Sequence, residues 1–508
     1  MTDGGEPADG PIPMVPRGIN VDAWIGWLLR VHRITAQPGS DSSDFSRQLD
    51  AVGYRGNPSL IDQCERGSVR IPETLVGAYE RVLDLPAGTL TSVCEAAREA
   101  LADDAIPAPA RSRDETIRSL REIDARITSQ AATGADWLML ADLAAEPNPV
   151  MLPPTLAREW TGQLLAETVR AVRSSRTTRL RALGRLVQNP QTRDAVSDTI
   201  FEFAATAAVT DPVAALGVIG FADDPRLMDR LITLLDESAE PLRRAAAFAL
   251  LVPIGRGRLS RAQLQRIGDA TLRICRDDPQ HAAPAVTLAS RLSRRRGHHL
   301  IQLMGHDPRP PAGRALPCAG LSGLLAATSV DLDNPSHDGV LTQLLQVVLI
   351  GRYPERRHHA LRLLAASPHR SALADAAVDL TTSSDPVTVG TAAMALPYLA
   401  GAAQQSSLLD LLTRPCPDVR SQALQALARG AEVPRGYSLA PHFRDHATEI
   451  SAVFAAGMSA HPQLARVSSS DAVSSEARRS ADWWMRHGPR IEDPPRRPQS
   501  APGMDGDA

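Results

Sequence analysis

The chain has 508 residues and a formal net charge of −3, and all 55 of its Lys/Arg-type positions are arginine. A chain without lysine cannot carry a Walker A phosphate lysine, a protein-kinase strand lysine or a Schiff-base lysine, so those chemistries are excluded. Hydrophobic residues make up 43% but aromatics only 4%, so Leu, Ala and Val must build the core, which favours helices over sheets.

In chain order, residues 1–17 are acidic and rich in Pro and Gly. They lack the basic and apolar regions of a signal peptide and are expected to be disordered. Residues 18–104 read as a compact helical block. Within it, residues 24–33 (WIGWLLRVHR) form an apolar-faced helix ending in basic residues. Ser42 or Ser43 is expected to cap the next helix, where Ser46 is the small residue facing a partner helix. In residues 57–72, NPSLIDQCERGSVRIP, Gly67 is placed to end one helix and Pro72 to start another.

Residues 57–72 resemble the recognition-helix segment of the lambda-repressor-like, or Xre/Cro-type, helix-turn-helix family. The aliphatic pair of that pattern corresponds to Ile61 and Cys64, its Glu–x–Gly to Glu65, Arg66 and Gly67, its basic residue to Arg70 and its proline to Pro72. The following segment, 73–90, fits as well, with Leu75, Tyr79 and Leu83 on one face and then Leu85–Pro86. The resemblance implies binding to double-stranded operator DNA. Asn57, Ser59 and Gln63 would face base edges, where Asn and Gln can pair with adenine, and Arg66 and Arg70 would sit beside phosphates. The loops TAQPGSDSS and AVGYRGNP are longer than the usual turns of the family. Between Arg17 and Arg70, seven arginines face six carboxylates, 7 − 6 = +1.

Residues 105–133 read as a proline-stiffened linker followed by a charged connecting helix. From 134 to 465 the chain repeats itself. The stretches 240–251, 354–365, 385–396 and 417–428 each open on a proline beside a turn or acidic residue, and Ala and Leu then recur at helical spacing. Weaker copies start at Pro212, Pro279 and Pro317. The prolines at 241, 279, 317, 354, 386 and 417 are 31–38 residues apart. This pattern resembles the HEAT/armadillo-type repeat, best in residues 418–427. It implies an α-solenoid with a concave surface that binds a protein or peptide partner, or a second copy of the chain. In that register Ala423, Leu424 and Leu427 are buried. Residues 466–487 form a terminal helix, and 488–508 cannot bury enough apolar surface to fold alone.

The remaining groups call for no catalysis. The five cysteines, Cys64, Cys94, Cys275, Cys318 and Cys416, form no CxxC and read as buried thiols in a reducing compartment. Arg170, Arg173, Arg176 and Arg179, with Arg181 and Arg185 beyond, trace a basic stripe that reads as a solvated helix face. Arg294–Arg296 with His298 and His299 reads as a surface loop. His442 and His446 have helical i,i+4 spacing but no third ligand, and His358 and His359 read as structural or solvated. No apolar run is long enough to span a membrane. The sequence therefore predicts an all-α cytoplasmic protein, a helix-turn-helix bundle followed by a helical solenoid, with neither enzymatic activity nor cofactor. Its expected role is DNA-binding transcription regulation, with a homodimer as one arrangement. The competing class is a scaffold whose helix-turn-helix is degenerate. An exposed polar face over residues 57–70 favours the first, and packing of that face against the solenoid favours the second.

Overall fold

A computed structural model of the chain describes residues 20–39, 41–86, 88–101, 112–146, 151–206, 212–237, 240–307, 339–351 and 354–493. Among these residues there are 26 α-helices and no β-strand, and no helix is long and apolar enough to cross a membrane. Expectations for residues 1–17, for most of the linker and for the Pro317 repeat with Cys318 fall outside the described residues.

Five helices make the N-terminal block: α1 (Val21–Ala36), α2 (Ser42–Ala51), α3 (Pro58–Glu65), α4 (Glu73–Val82) and α5 (Thr91–Leu101). Their boundaries follow from local chemistry. Asp41, rather than Ser42 or Ser43, caps α2, because its carboxylate accepts from the backbone N–H of both Ser43 (2.9 Å) and Asp44 (2.8 Å). Asn57 caps α3 by accepting from Leu60 N–H at 2.7 Å, and Pro58 follows at the first helical position, where its missing donor costs nothing. Gly67 closes α3 with φ +64. Its N–H donates to the Cys64 carbonyl (2.9 Å) and Ser68 N–H to the Gln63 carbonyl (3.0 Å), the two crossed bonds of a Schellman end. The turn between α2 and α3 is pinned by Ser46 Oγ, which donates to the Gly56 carbonyl at 2.6 Å.

Two connecting helices, α6 (Arg113–Thr128) and α7 (Gly134–Ala144), lead into a first arm. It consists of α8 (Pro154–Arg170), α9 (Arg173–Gln188), α10 (Arg193–Ala205), α11 (Pro212–Gly217), α12 (Pro225–Glu237), α13 (Glu240–Gly255), α14 (Arg261–Asp277), α15 (Ala283–Leu292) and α16 (Arg294–Met304). One continuous apolar core runs from Ile123 to Leu300. The second arm holds α17 (Gly339–Ile350), α18 (Pro354–Ala366), α19 (Arg370–Leu380), α20 (Pro386–Leu399), α21 (Gln405–Leu411), α22 (Pro417–Gly430), α23 (Ala440–Phe443), α24 (Glu449–Met458), α25 (Leu464–Ser468) and α26 (Ser475–His487). The four best repeat stretches become α13, α18, α20 and α22. Helix α20 packs on both α18 and α22, and α22 packs on α24. Ala423, Leu424 and Leu427 are fully buried, as the repeat register requires.

Two contacts join what the sequence presents as separate parts. First, the core of the N-terminal block continues into α17–α20. Trp24 Nε1 donates to Gln343 Oε1 at 2.9 Å, and His32 Nε2 lies 2.7 Å from the Ala366 carbonyl. Second, residues 488–493, expected to stay unfolded, return to the junction of α8 and α9. Ile491 N–H donates to the Arg170 carbonyl (2.9 Å), and Val172 N–H donates to the Ile491 carbonyl (3.2 Å). The end of the second arm thus meets the start of the first, and the arms and α5 surround a central recess.

Candidate functional site

The sequence-predicted DNA-contact residues come together. Asn57, Ser59, Gln63, Arg66 and Arg70 are all exposed, while Ile61, Cys64 and Glu65 between them are buried. Within the helix, Ser59, Gln63 and Arg66 stand one turn apart on one face, as i, i+4 and i+7 positions must. Gln63 Nε2 is 3.3 Å from Ser59 Oγ. Asp62 lies beside them and is bound to Ser42 Oγ on α2. The Asn57 side-chain carbonyl oxygen also caps α3, accepting from Leu60 N–H.

Behind that face lies a buried charge network. Arg33 donates from Nε and Nη2 to the two carboxylate oxygens of Glu65, both at 2.7 Å, and Tyr79 Oη donates to Glu65 Oε1 at 2.8 Å. Arg33 and Glu65 are nearly inaccessible. Burial and the adjacent Glu65 carboxylate push the Tyr79 hydroxyl far above its usual range, so it stays a donor. The Glu–x–Gly element that the sequence matched to a family pattern thus works here as an internal clamp between α1, α3 and α4.

The second concave feature is the central recess, about 930 Å³ in volume. Helices α9 and α13 of the first arm, α18, α20 and α22 of the second, α5 and residues Glu492–Asp493 line it. Its lining includes the apolar Val213, Val218, Phe221 and Phe248, the basic Arg176, Arg357, Arg362, Arg370 and Arg429, and His358, His359 and Tyr398. His358 Nδ1 is 2.8 Å from Tyr398 Oη. Burial drives the pKa of His358 well below its ordinary value and that of His359 down to about 3, with nearby Arg362 adding to both shifts. Burial likewise lowers Arg362 to about 10, aided by Arg176 and Arg429 and opposed by Tyr398.

The other basic segments differ from their sequence readings. The stripe expected to be a solvated face is largely internal. Arg179, fully buried, pairs with Glu167 (3.0 Å) and Asp493 (2.9 Å). Arg181 pairs with Glu95, and Arg185 with Asp142. Its partners are distant in sequence, so spacing within the stripe gives no sign of them. Arg294–Arg296 are exposed but open α16 rather than forming a loop, because Ser293 accepts from Arg296 N–H at 3.2 Å. His358 and His359 were legible as a pair but not as parts of a recess, since Arg176 and Arg429 come from other helices. His442 is buried and His446 exposed, so the pair does not converge. Cys64, Cys94 and Cys275 are buried, whereas Cys416 is exposed.

No family model matches the chain, and no curated protein matches it. Among solved structures, the crystal structure of an engineered protein aligns over 91% of this chain and 98% of its own at 16% identity, with a TM-score of 0.16. That score carries no argument about fold or function.

Proposed function

We propose that the chain is a DNA-binding regulator that reads operator DNA through the exposed face of α3. The observation that carries this reading is the exposure of Ser59, Gln63, Arg66 and Arg70 together, on a short helix clamped from behind by Arg33 and Tyr79 through Glu65. Rigid presentation of a polar helix face is what base readout needs, because each base-edge bond is lost if the helix tilts. The anchoring of the block to α17–α20 gives the solenoid a direct mechanical link to that face. The same shared core favours a second reading, a scaffold in which the block only buttresses the solenoid.

Footprinting of the full-length protein on the DNA upstream of its own gene tests the choice. A protected site that disappears in the Gln63→Ala/Arg66→Ala double variant supports the regulator. No protection at low salt, with the protein folded, leaves the scaffold.

A further inference from the structure

Beyond α26 the chain crosses from the second arm to the first. Gly488, with φ +83, turns the backbone out of that helix, and residues 488–493 then run along the junction of α8 and α9. On the second arm, Arg490 N–H donates to the Met458 carbonyl at 3.2 Å, and the Arg490 side chain pairs with Glu432 at 2.8 Å. On the first arm, Ile491 bonds to Arg170 and Val172 through its backbone, and Asp493 N–H donates to Ser175 Oγ at 2.9 Å. The Asp493 carboxylate accepts from both terminal nitrogens of Arg179, each at 2.9 Å, and from Gly134 N–H at 3.0 Å.

No residue of this segment is fully buried, so hydrogen bonds and ion pairs hold it rather than apolar packing. Segments held in that way open at low free-energy cost, separately from the core. What the segment would leave behind stays satisfied. Arg179 keeps Glu167, which is itself fixed by Trp137 Nε1 at 2.7 Å and Gln163 Nε2 at 3.2 Å, so no buried charge is stranded. The backbone groups of Arg170 and Val172 lie at a turn between helices, where water replaces Ile491. The arms also stay joined without the segment. Ala166, Val169 and Val172 share one apolar core with Ala393, Leu396 and Leu424, and α5 packs on both α9 and α18.

Glu492 and Asp493 line the central recess beside Val172, Arg173 and Ser175. The segment therefore supplies part of the recess wall at the α8–α9 junction. We propose that residues 488–493 are a latch, fastened by Asp493 to Arg179 and the start of α7, whose release opens the central recess while both arms stay folded. The latch does not depend on the DNA reading, since none of these residues lies on α3.

Native-state hydrogen exchange on the full-length protein tests it. The Ile491 and Val172 amides are expected to exchange roughly 10-fold or more faster than amides in the middle of α9 and α26. Their rates should hardly change in low urea, because opening a few residues exposes little surface. If both amides follow the urea dependence of global unfolding, the segment is an integral part of the fold and the proposal fails. Asp493→Asn should speed their exchange roughly 10- to 100-fold, the contribution of a charge-assisted bond. Glu492→Gln is the control. Its pair with Arg173 is exposed on both sides, 48% and 46%, and such pairs contribute little, so exchange should stay near that of wild type. Equal effects of the two changes overturn the anchoring by Asp493. Gln425→Cys, on the recess-lining face of α22, reports access through its rate of maleimide labelling, followed by peptide mass spectrometry. Adding Asp493→Asn should raise that rate by about the factor seen for Ile491 exchange. Faster exchange at Ile491 with unchanged labelling would show that the segment opens without opening the recess, and that result overturns the proposal.

Discussion

Arg33 and Glu65 are joined by two 2.7 Å hydrogen bonds between α1 and the end of α3, one residue from the exposed Arg66 and two from the exposed Gln63. Tyr79 supplies a third bond from α4. The position of the outward face is therefore set by an inward carboxylate. Removing one partner of such a pair strands a buried charge, at a cost of about 3–5 kcal/mol. Glu65→Ala should lose that much stability in urea unfolding. The double variant Arg33→Met/Glu65→Leu should recover much of it, because apolar replacement of the whole pair leaves no stranded charge.

The close approach of α1 to α3 rests on Gly26. A Cβ there would lie 2.3 Å from the Cys64 carbonyl oxygen and 2.7 Å from that of Glu65. Both are backbone atoms, so the helices must separate to admit a methyl group. Gly26→Ala should destabilise the protein by about 1–3 kcal/mol, the range for overpacking, despite Ala's better helix propensity. Gly184→Ala, also within a helix but with open space around its Cβ, should be neutral or stabilising. Equal thermal shifts for the two would contradict the packing account.

How much of this was legible in the sequence depended on distance along the chain. Gly67 ending α3, Pro417 opening a helix, and burial of Leu424 all follow from residues within a turn or two. The anchor Trp24–Gln343 spans 319 positions and the pair Arg179–Asp493 spans 314. Neither pattern nor propensity links such residues, so the tail looked unfolded and the arginine stripe looked solvated. The arginine-lined recess was hidden for the same reason, since Arg176, Arg362 and Arg429 come from three separate helices, and each looks like an ordinary helix-face arginine in its own. The α2 cap was missed locally. Asp41 competes with Ser42 and Ser43 for the same backbone donors, and its carboxylate reaches two of them.

Burial of the repeat seam sets a second scale. Leu427 has no exposed surface and sits on α22 between α20 and α24. Leu427→Ala should cost about 2–5 kcal/mol, combining lost transfer energy with the cavity left behind. A cooperative single transition shifted by that amount is expected. A change under about 0.5 kcal/mol, typical of surface sites, would show that the seam is packed otherwise.

Acid should unfold the protein through its buried histidines. Burial holds His359 at about 3 against an ordinary 6.5, and His358 is shifted the same way. Below pH 6.5 the unfolded chain takes up a proton at each site that the folded chain refuses, so stability is full above 6.5 and falls as pH drops. The slope is about 1.4 kcal/mol per pH unit per histidine, or about 2 kcal/mol from His359 by pH 5. In urea titrations from pH 7 to pH 5, His359→Gln should show a shallower loss than wild type. Parallel profiles would mean that His359 is protonated in the folded state.

Gln63 and Arg66 should fail differently if α3 reads DNA. Both are exposed on α3's outer side, but their chemistry differs. Gln63 can donate and accept at a base edge, so Gln63→Ala should cost about 1–3 kcal/mol on the operator and relax preference at one position, with little change on unrelated duplex. Arg66 sits at the C-cap of α3, at the basic end, where a guanidinium meets phosphate. Arg66→Ala should weaken specific and non-specific binding alike and lower the salt slope by about one unit, since one fewer counterion is released. Asn57→Ala should differ from both. Its carboxamide oxygen caps α3, so the variant should lose about 1 kcal/mol of stability and weaken binding through the loosened helix rather than at a single base. Binding curves for the three variants across salt, on operator and scrambled duplexes, separate these outcomes. If all three match wild type on every duplex, α3 does not contact DNA.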